Sequence, residues 1–160
     1  MILYHGSTKI VEKPEIRISN RFLDFGNGFY TTTSEEQAIA WAKSKSERLH
    51  TENAYINIYE LDDYVLSDKK FSVLIFERPT REWLDFVIAN RRGELQHNYD
   101  FVMGAVADDT LYQTFTLYES GLLTLEETII RLNTHTLFDQ LSFNTEKALN
   151  NLKYVKTELH

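Results

Sequence analysis

Phe25-Gly26-Asn27-Gly28-Phe29-Tyr30-Thr31-Thr32-Thr33-Ser34, running on through Glu35-Glu36-Gln37 to Trp41, is the most informative stretch of the 160-residue chain. Asp24 to Gly28 is a turn cluster whose two glycines let the backbone turn sharply and come close to a ligand. Phe29 to Thr33 is a β-favouring run. Ser34 suits an N-cap, with Glu35, Glu36 and Gln37 in the first turn of a helix expected to reach about Arg48. Ala38, Ile39, Trp41 and Ala42 supply its apolar side. This order brings Tyr30 on a strand and Trp41 on a helix toward each other, and two aromatic faces so related can clamp a flat heteroaromatic ring. The same residues also read as a glycine turn followed by an ordinary core strand and an amphipathic helix.

Upstream, Ile2-Leu3-Tyr4-His5 reads as a short strand ending at the polar break Gly6-Ser7-Thr8. His5, Gly6 and Ser7 offer an imidazole, a backbone amide and a hydroxyl, a set suited to a ribose diol beside a carboxamide. A histidine near a turn reads equally as a surface or capping residue. Downstream, Tyr55–Tyr59 alternates as a strand and Phe71–Phe76 forms another. Thr80 opens a helix to about Asn90, stopped by Arg91-Arg92-Gly93. Tyr99–Val106 is a buried strand, Leu122-Leu123-Thr124 starts a helix to about Leu132, and Gln140–Phe143 is a strand. Asn144-Thr145-Glu146 then caps a helix through Leu152. The sum is a mixed α+β fold, with residues 1–160 as one domain.

Composition removes several function classes. The chain has no cysteine, so disulfides, Cys-ligated zinc and a cysteine nucleophile are excluded, and a reducing, cytoplasmic setting fits. The N-terminus lacks the pattern of a signal peptide, and the best apolar segment, Phe71–Phe76, is strand-sized, so no membrane partner is expected. A net charge of −7 argues against stable nucleic-acid binding but leaves a small dinucleotide open, since local dipoles can override the global field. Phe, Tyr and Trp number 10, 9 and 2, which favours a sheet with large aromatic core residues.

Other residues carry two readings each. Asp108-Asp109 reads as a metal or catalytic pair, or as a solvated turn. Asp100 reads as a structural partner of Arg91 or Arg92. Arg21 reads as a pyrophosphate ligand or as a surface arginine. His50, His97, His135 and His160 show no metal-ligand spacing, so no metal is expected. Gly26-x-Gly28 lacks the third glycine and the βαβ setting of a Rossmann site.

His5-Gly6-Ser7, then Phe25-Gly26-Asn27-Gly28-Phe29-Tyr30, then the helix bearing Trp41, together resemble the His-Tyr-Glu group of ADP-ribosyltransferases, the group of diphtheria toxin and the poly(ADP-ribose) polymerases. That group's two nicotinamide-stacking aromatics lie eleven positions apart, as Tyr30 and Trp41 do here. The whole chain also resembles an uncharacterised bacterial domain family suspected of toxin-like ADP-ribosyl transfer. That resemblance includes Trp83-Leu84-Asp85-Phe86-Val87, Tyr99-Asp100 and the run from Gly104 to Asp109. It implies an ADP-ribosyltransferase-like split mixed β-sheet core flanked by helices, with NAD as substrate. His5 would bond the adenosine ribose, Gly6 the nicotinamide amide through its backbone, and Ser7 a ribose hydroxyl. Tyr30 and Trp41 would stack on nicotinamide.

Two positions depart from the pattern. A serine that touches the carboxamide falls at Ala38, and the group's glutamate falls at Gln140. A carboxylate near the ribose stabilises the positive charge created when the glycosidic bond breaks. A neutral amide still accepts the hydroxyl's hydrogen bond but gives up ~1–2 kcal/mol, about tenfold in rate. Several transferases of this superfamily also lack the glutamate, and its absence goes with adding single units. Asp139 would point to the opposite face of the strand from Gln140, and Glu146 reads as first-turn helix charge or as a substitute carboxylate.

The function implied is an NAD-dependent mono-ADP-ribosyltransferase. It would be a bacterial, cytoplasmic, toxin-type effector that modifies a macromolecular acceptor, releases nicotinamide, and is held in check by a small antitoxin protein. The loop from Asn133 to Asp139, with Thr134-His135-Thr136, lies where that group recognises its acceptor. The alternatives are a non-catalytic NAD- or ADP-ribose-binding module, and an interaction domain whose aromatics are only core.

Overall fold

The expected caps form and fix the elements around the turn. The computed structural model describes residues 1–16, 18, 22–106, 109–133 and 138–160, and of 109, 110 and 112 the backbone alone. Strand β1 is Ile2–Ser7, β2 is Phe29–Thr31 and helix α1 is Glu35–Leu49. Ser34 accepts from the Gln37 N–H at 3.2 Å, and His50 ends α1 in the left-handed region at φ 51°. There follow β3 (Tyr55–Glu60), a 3₁₀ turn (Asp63–Ser67), β4 (Val73–Ile75) and α2 (Arg81–Arg91), capped by Thr80. Then come β5 (Phe101–Ala105), α3 (Asp109–Glu119), α4 (Leu125–Asn133), β6 (Asp139–Phe143), α5 (Glu146–Leu149) and β7 (Lys153–Leu159). Among the described residues the fold is mixed α+β, with two sheets and five α-helices. No described helix is long and apolar enough to cross a membrane.

The later part of the chain differs from expectation in three places. Asp109 starts α3 instead of belonging to a solvated turn, because Leu111, Thr114 and Phe115 form a buried stripe at helical spacing; Asp108 lies outside the described residues. Helix α5 stops at Leu149 rather than Leu152, and the chain returns as β7 along β3. Asp100 pairs with neither Arg91 nor Arg92. It accepts from Thr145 Oγ1 at 2.6 Å and from the Ser72 N–H at 2.9 Å, with Lys147 Nζ at 3.4 Å, tying the start of α5 to β5.

The sheets have orders β1-β3-β7 and β2-β6-β5-β4, and every pairing is antiparallel except β4 with β5. They meet at an antiparallel bridge in which the Tyr4 N–H donates to Thr32 O at 2.9 Å and the Thr32 N–H to Tyr4 O at 3.0 Å. A core of Leu3, Phe29, Tyr59, Phe101, Leu141 and Phe143 joins both sheets on one side. A second core packs Trp83, Leu84 and Val87 of α2, with Leu111 and Phe115 of α3, against Val102.

Helix α1 covers the outer face of the first sheet through Ala38, Ala42 and Ser46, small residues four positions apart. They let the helix press onto Gly6. A Cβ at that position would lie 2.1 Å from Ala38 O and 2.8 Å from Ala42 N. Gly6→Ala is therefore expected to lower unfolding free energy by at least about 2 kcal/mol, as over-packing does. Urea denaturation should show this as a lower midpoint with an unchanged slope.

Candidate functional site

Strand alternation decides what β1 shows to each side. His5 and Ser7 share one face, and Tyr4 and Gly6 the other, toward α1. His5 and Ser7 open into a cavity of about 580 Å³ whose wall also includes Asp24, Phe29, Tyr30, Trp41, Val106 and Gln140. The two sheets have no further bridge beyond Tyr4 and Thr32 among the described residues, and the cavity occupies the split that this leaves. Tyr4 turns its N–H and C=O toward Thr32, so Gly6, two residues on, turns its own to the same edge. Among the described residues no strand continues the pairing there. Gly6 thus offers one backbone donor and one acceptor at the cavity edge while its Cα packs against α1.

Hydrogen bonds fix the aromatic groups. His5 Nδ1 lies 2.7 Å from Tyr30 O. A carbonyl only accepts, so Nδ1 carries the hydrogen and Nε2 is the neutral ring's acceptor. The imidazole also packs on Phe29, with centroids 4.4 Å apart. The Tyr30 hydroxyl donates to Gly26 O at 2.6 Å and accepts from the Phe25 N–H at 3.0 Å. Burial pushes this hydroxyl far above the ordinary tyrosine range, so it stays protonated and staples the turn. Tyr30 therefore contributes a ring to the cavity and is no proton donor or base there. Gly26 takes φ 79° in the same turn, a conformation open to glycine.

Gln140, the second residue of β6, is 4% exposed. Its Nε2 donates to Asp24 Oδ2 at 2.9 Å and more weakly to Ala105 O at 3.4 Å. Asp24 in turn accepts from Arg91 Nε at 2.5 Å. Asp139 does point away: it accepts from the Thr33 N–H and from Thr32 Oγ1 and Thr33 Oγ1, tying β6 to the approach to α1. Glu146 sits in the first turn of α5 and does not line the cavity.

The structure thus brings His5, Ser7, Tyr30, Trp41 and Gln140 to one cavity and Gly6 to its edge, across 135 positions of sequence between His5 and Gln140. Ala38 is fully buried under Gly6 and has no part in the cavity wall. Arg21 and the stretch Thr134-His135-Thr136 lie outside the described residues.

Sequence reasoning missed Asp24 as anything beyond a turn residue, and it missed four cations at the cavity, Lys9, Lys13, Lys45 and Arg48. Two of these were legible, since Lys45 and Arg48 follow Trp41 by four and seven positions and so share its helix face. Among the described lining residues, four cations stand against the two carboxylates Glu15 and Asp24, a balance opposite in sign to the chain's −7. Glu35, Glu158 and His160 bring possible metal-ligand atoms within 4.8 Å of one another, but Glu158 already pairs with Lys156 at 2.6 Å. None of the three lines the cavity.

Fold and site together define a mixed α+β fold with a cation-rimmed cavity at the split between two sheets. Residues 1–154 match the family described as "Protein of unknown function (DUF3990)", and the chain belongs to that family. No curated protein and no solved structure gives a significant match.

Tyr30→Phe separates the ring from its hydroxyl. Losing two buried hydrogen bonds should lower stability by ~1–3 kcal/mol, while the ring face in the cavity stays. Chemical denaturation beside ligand calorimetry should show the loss in the first measurement and a change below about threefold in the second.

Proposed function

We propose that the chain is an NAD-dependent mono-ADP-ribosyltransferase with this cleft as its NAD site, transferring ADP-ribose to a macromolecular acceptor and releasing nicotinamide. The observation that carries the reading is the convergence of His5, Ser7, Tyr30, Trp41 and Gln140 on one cavity, because these are the positions that the resemblance singles out from two distant parts of the chain.

The cavity's chemistry fits such a substrate. Its volume is in the ordinary range for small-molecule sites. Tyr30 and Trp41 supply aromatic faces for a heteroaromatic ring, and the edge of Gly6 supplies a donor and an acceptor for a carboxamide. His5 Nε2 accepts from a sugar hydroxyl, and Ser7 lies two residues along the same face. Lys9, Lys13, Lys45 and Arg48 suit a pyrophosphate, the role first given to Arg21. Gln140, at the cavity wall, is the group toward the ribose whose glycosidic bond breaks. The bent substrate, its ring held and its anomeric carbon open to an acceptor, is catalysed chiefly by positioning.

A second reading rests on Gln140 being an amide where a carboxylate would supply charge: a non-catalytic module that binds NAD or ADP-ribose. A third treats the aromatics as core alone, in an interaction domain. The toxin-like setting in a bacterial cytoplasm, with a small antitoxin protein as partner, rests on the resemblance; growth arrest on expression that is lost in His5→Ala supports it, and unimpeded growth removes it.

Purified protein incubated with labelled NAD and cell lysate should release nicotinamide and label a macromolecule. Trp41→Ala, with Trp41 only half-buried, should stay folded and lose tenfold or more in turnover (~1.4 kcal/mol). NAD binding without nicotinamide release selects the module. Neither binding nor release, together with unfolding of Trp41→Ala, selects the interaction domain.

A further inference from the structure

Asp24 is a buried carboxylate, 8% exposed, on the wall of the cavity and 116 positions from the residue it holds. Gln140 Nε2 meets Asp24 Oδ2 at 2.9 Å and Ala105 O at 3.4 Å. A carboxylate and a carbonyl can only accept, so the end of the Gln140 amide that meets them must be the –NH₂. Its Oε1 is then turned away from both. Among the described residues nothing donates to that oxygen, and it is not among the buried atoms left without a partner. Gln140 therefore presents an acceptor to the cavity.

From this arrangement we infer that Asp24 is a positioning residue that locks the Gln140 amide with Oε1 toward the substrate; the inference rests on the NAD reading above. The chain of bonds runs from Arg91 Nε to Asp24, from Gln140 Nε2 to Asp24, and from a ribose hydroxyl to Gln140 Oε1. Donation to a carboxylate on one side of the amide strengthens its oxygen as an acceptor on the other. The same geometry accounts for an amide at this position. A glutamate there would face the Asp24 carboxylate at the distance of a hydrogen bond, so the two would repel each other or have to take up a proton.

The substitutions separate positioning from mere support. In Asp24→Asn, the new Oδ1 still takes the Arg91 bond, and the new –NH₂ faces Gln140. The Gln140 amide turns over to accept from it and shows –NH₂ to the substrate. The bond between positions 24 and 140 persists, the weaker one to Ala105 O is given up, and the polarity at the cavity inverts. Gln140→Glu alone opposes two carboxylates. The double variant Asp24→Asn/Gln140→Glu again pairs a donor with an acceptor, keeps the charge of the three side chains unchanged, and returns an oxygen to the cavity.

The experiment measures nicotinamide release from NAD, NAD binding and thermal midpoint for the full chain and these three variants. Asp24→Asn should keep its KM within about threefold and lose tenfold or more in kcat, with a lower midpoint because Arg91 loses its counter-charge. Gln140→Glu should lose midpoint and activity, and the double variant should recover both. Equal kcat in Asp24→Asn and the parent chain overturns the inference, as does a double variant no better than the worse single one. Failure of the NAD reading looks different, because the parent chain then neither binds nor cleaves NAD. In that event the midpoints decide: recovery in the double variant upholds the coupling of the two positions, and additive losses overturn it.

Discussion

Two backbone hydrogen bonds between Tyr4 and Thr32 set the relation of the two sheets. They tie β1 to the end of β2 at one residue pair, and no further bridge between the two strands follows among the described residues. A continuous sheet would satisfy the Gly6 edge with another strand and leave no room for a ligand. One shared rung instead holds the halves together at one end and leaves side chains of β1, β2 and β6 facing a common space. The core that joins the halves, from Leu3 and Tyr59 to Phe101 and Phe143, lets the gap exist without the halves separating.

What that space contains follows from period-two alternation on the strands that bound it. On β6, Leu141 and Phe143 go to the core while Gln140, on the other face, goes to the cavity; on β1, Leu3, His5 and Ser7 share one face, which passes from the joint core at Leu3 to the cavity at His5 and Ser7. Stability and chemistry thus divide along a single face of β1 and between the two faces of β6. Gly6 belongs to both concerns, since its missing side chain admits α1 and its backbone edge lies at the cleft. Helix α1, so close, brings Trp41, Lys45 and Arg48 to the rim.

Much of this was legible in the residues. The turn at Gly26, the strand after it and the helix capped by Ser34 are local patterns, written in neighbouring residues, and they formed within a few residues of their expected ends. Helix α3 was not legible because Thr, Tyr and Phe make up much of Asp109–Glu119, residues of weak helix preference that only the buried stripe of Leu111, Thr114 and Phe115 overrides. Strand β7 escaped notice because it is an edge strand with no fully buried position, so its sequence carries no core pattern. The site divides in the same way. His5, Tyr30 and Trp41 announce themselves by motif and spacing. The link from Asp24 to Gln140 and Arg91 has no sequence signal, because it joins residues 116 and 67 positions apart through side chains alone.

The turn from Phe25 to Gly28 is held from three directions: by the Tyr30 hydroxyl, by His97 Nε2 on Phe25 O at 2.8 Å, and by Asn144 Nδ2 on Phe25 O and Asn27 O at 2.9 Å. Three separate segments of the chain therefore freeze the loop that forms one lip of the cleft. Ordering that loop is a cost already met in folding, so a ligand arriving there loses its own freedom and little of the protein's. Such a lip behaves as a fixed gauge: it rewards a molecule that already has the matching outline and gives little help to one that would need the wall to move.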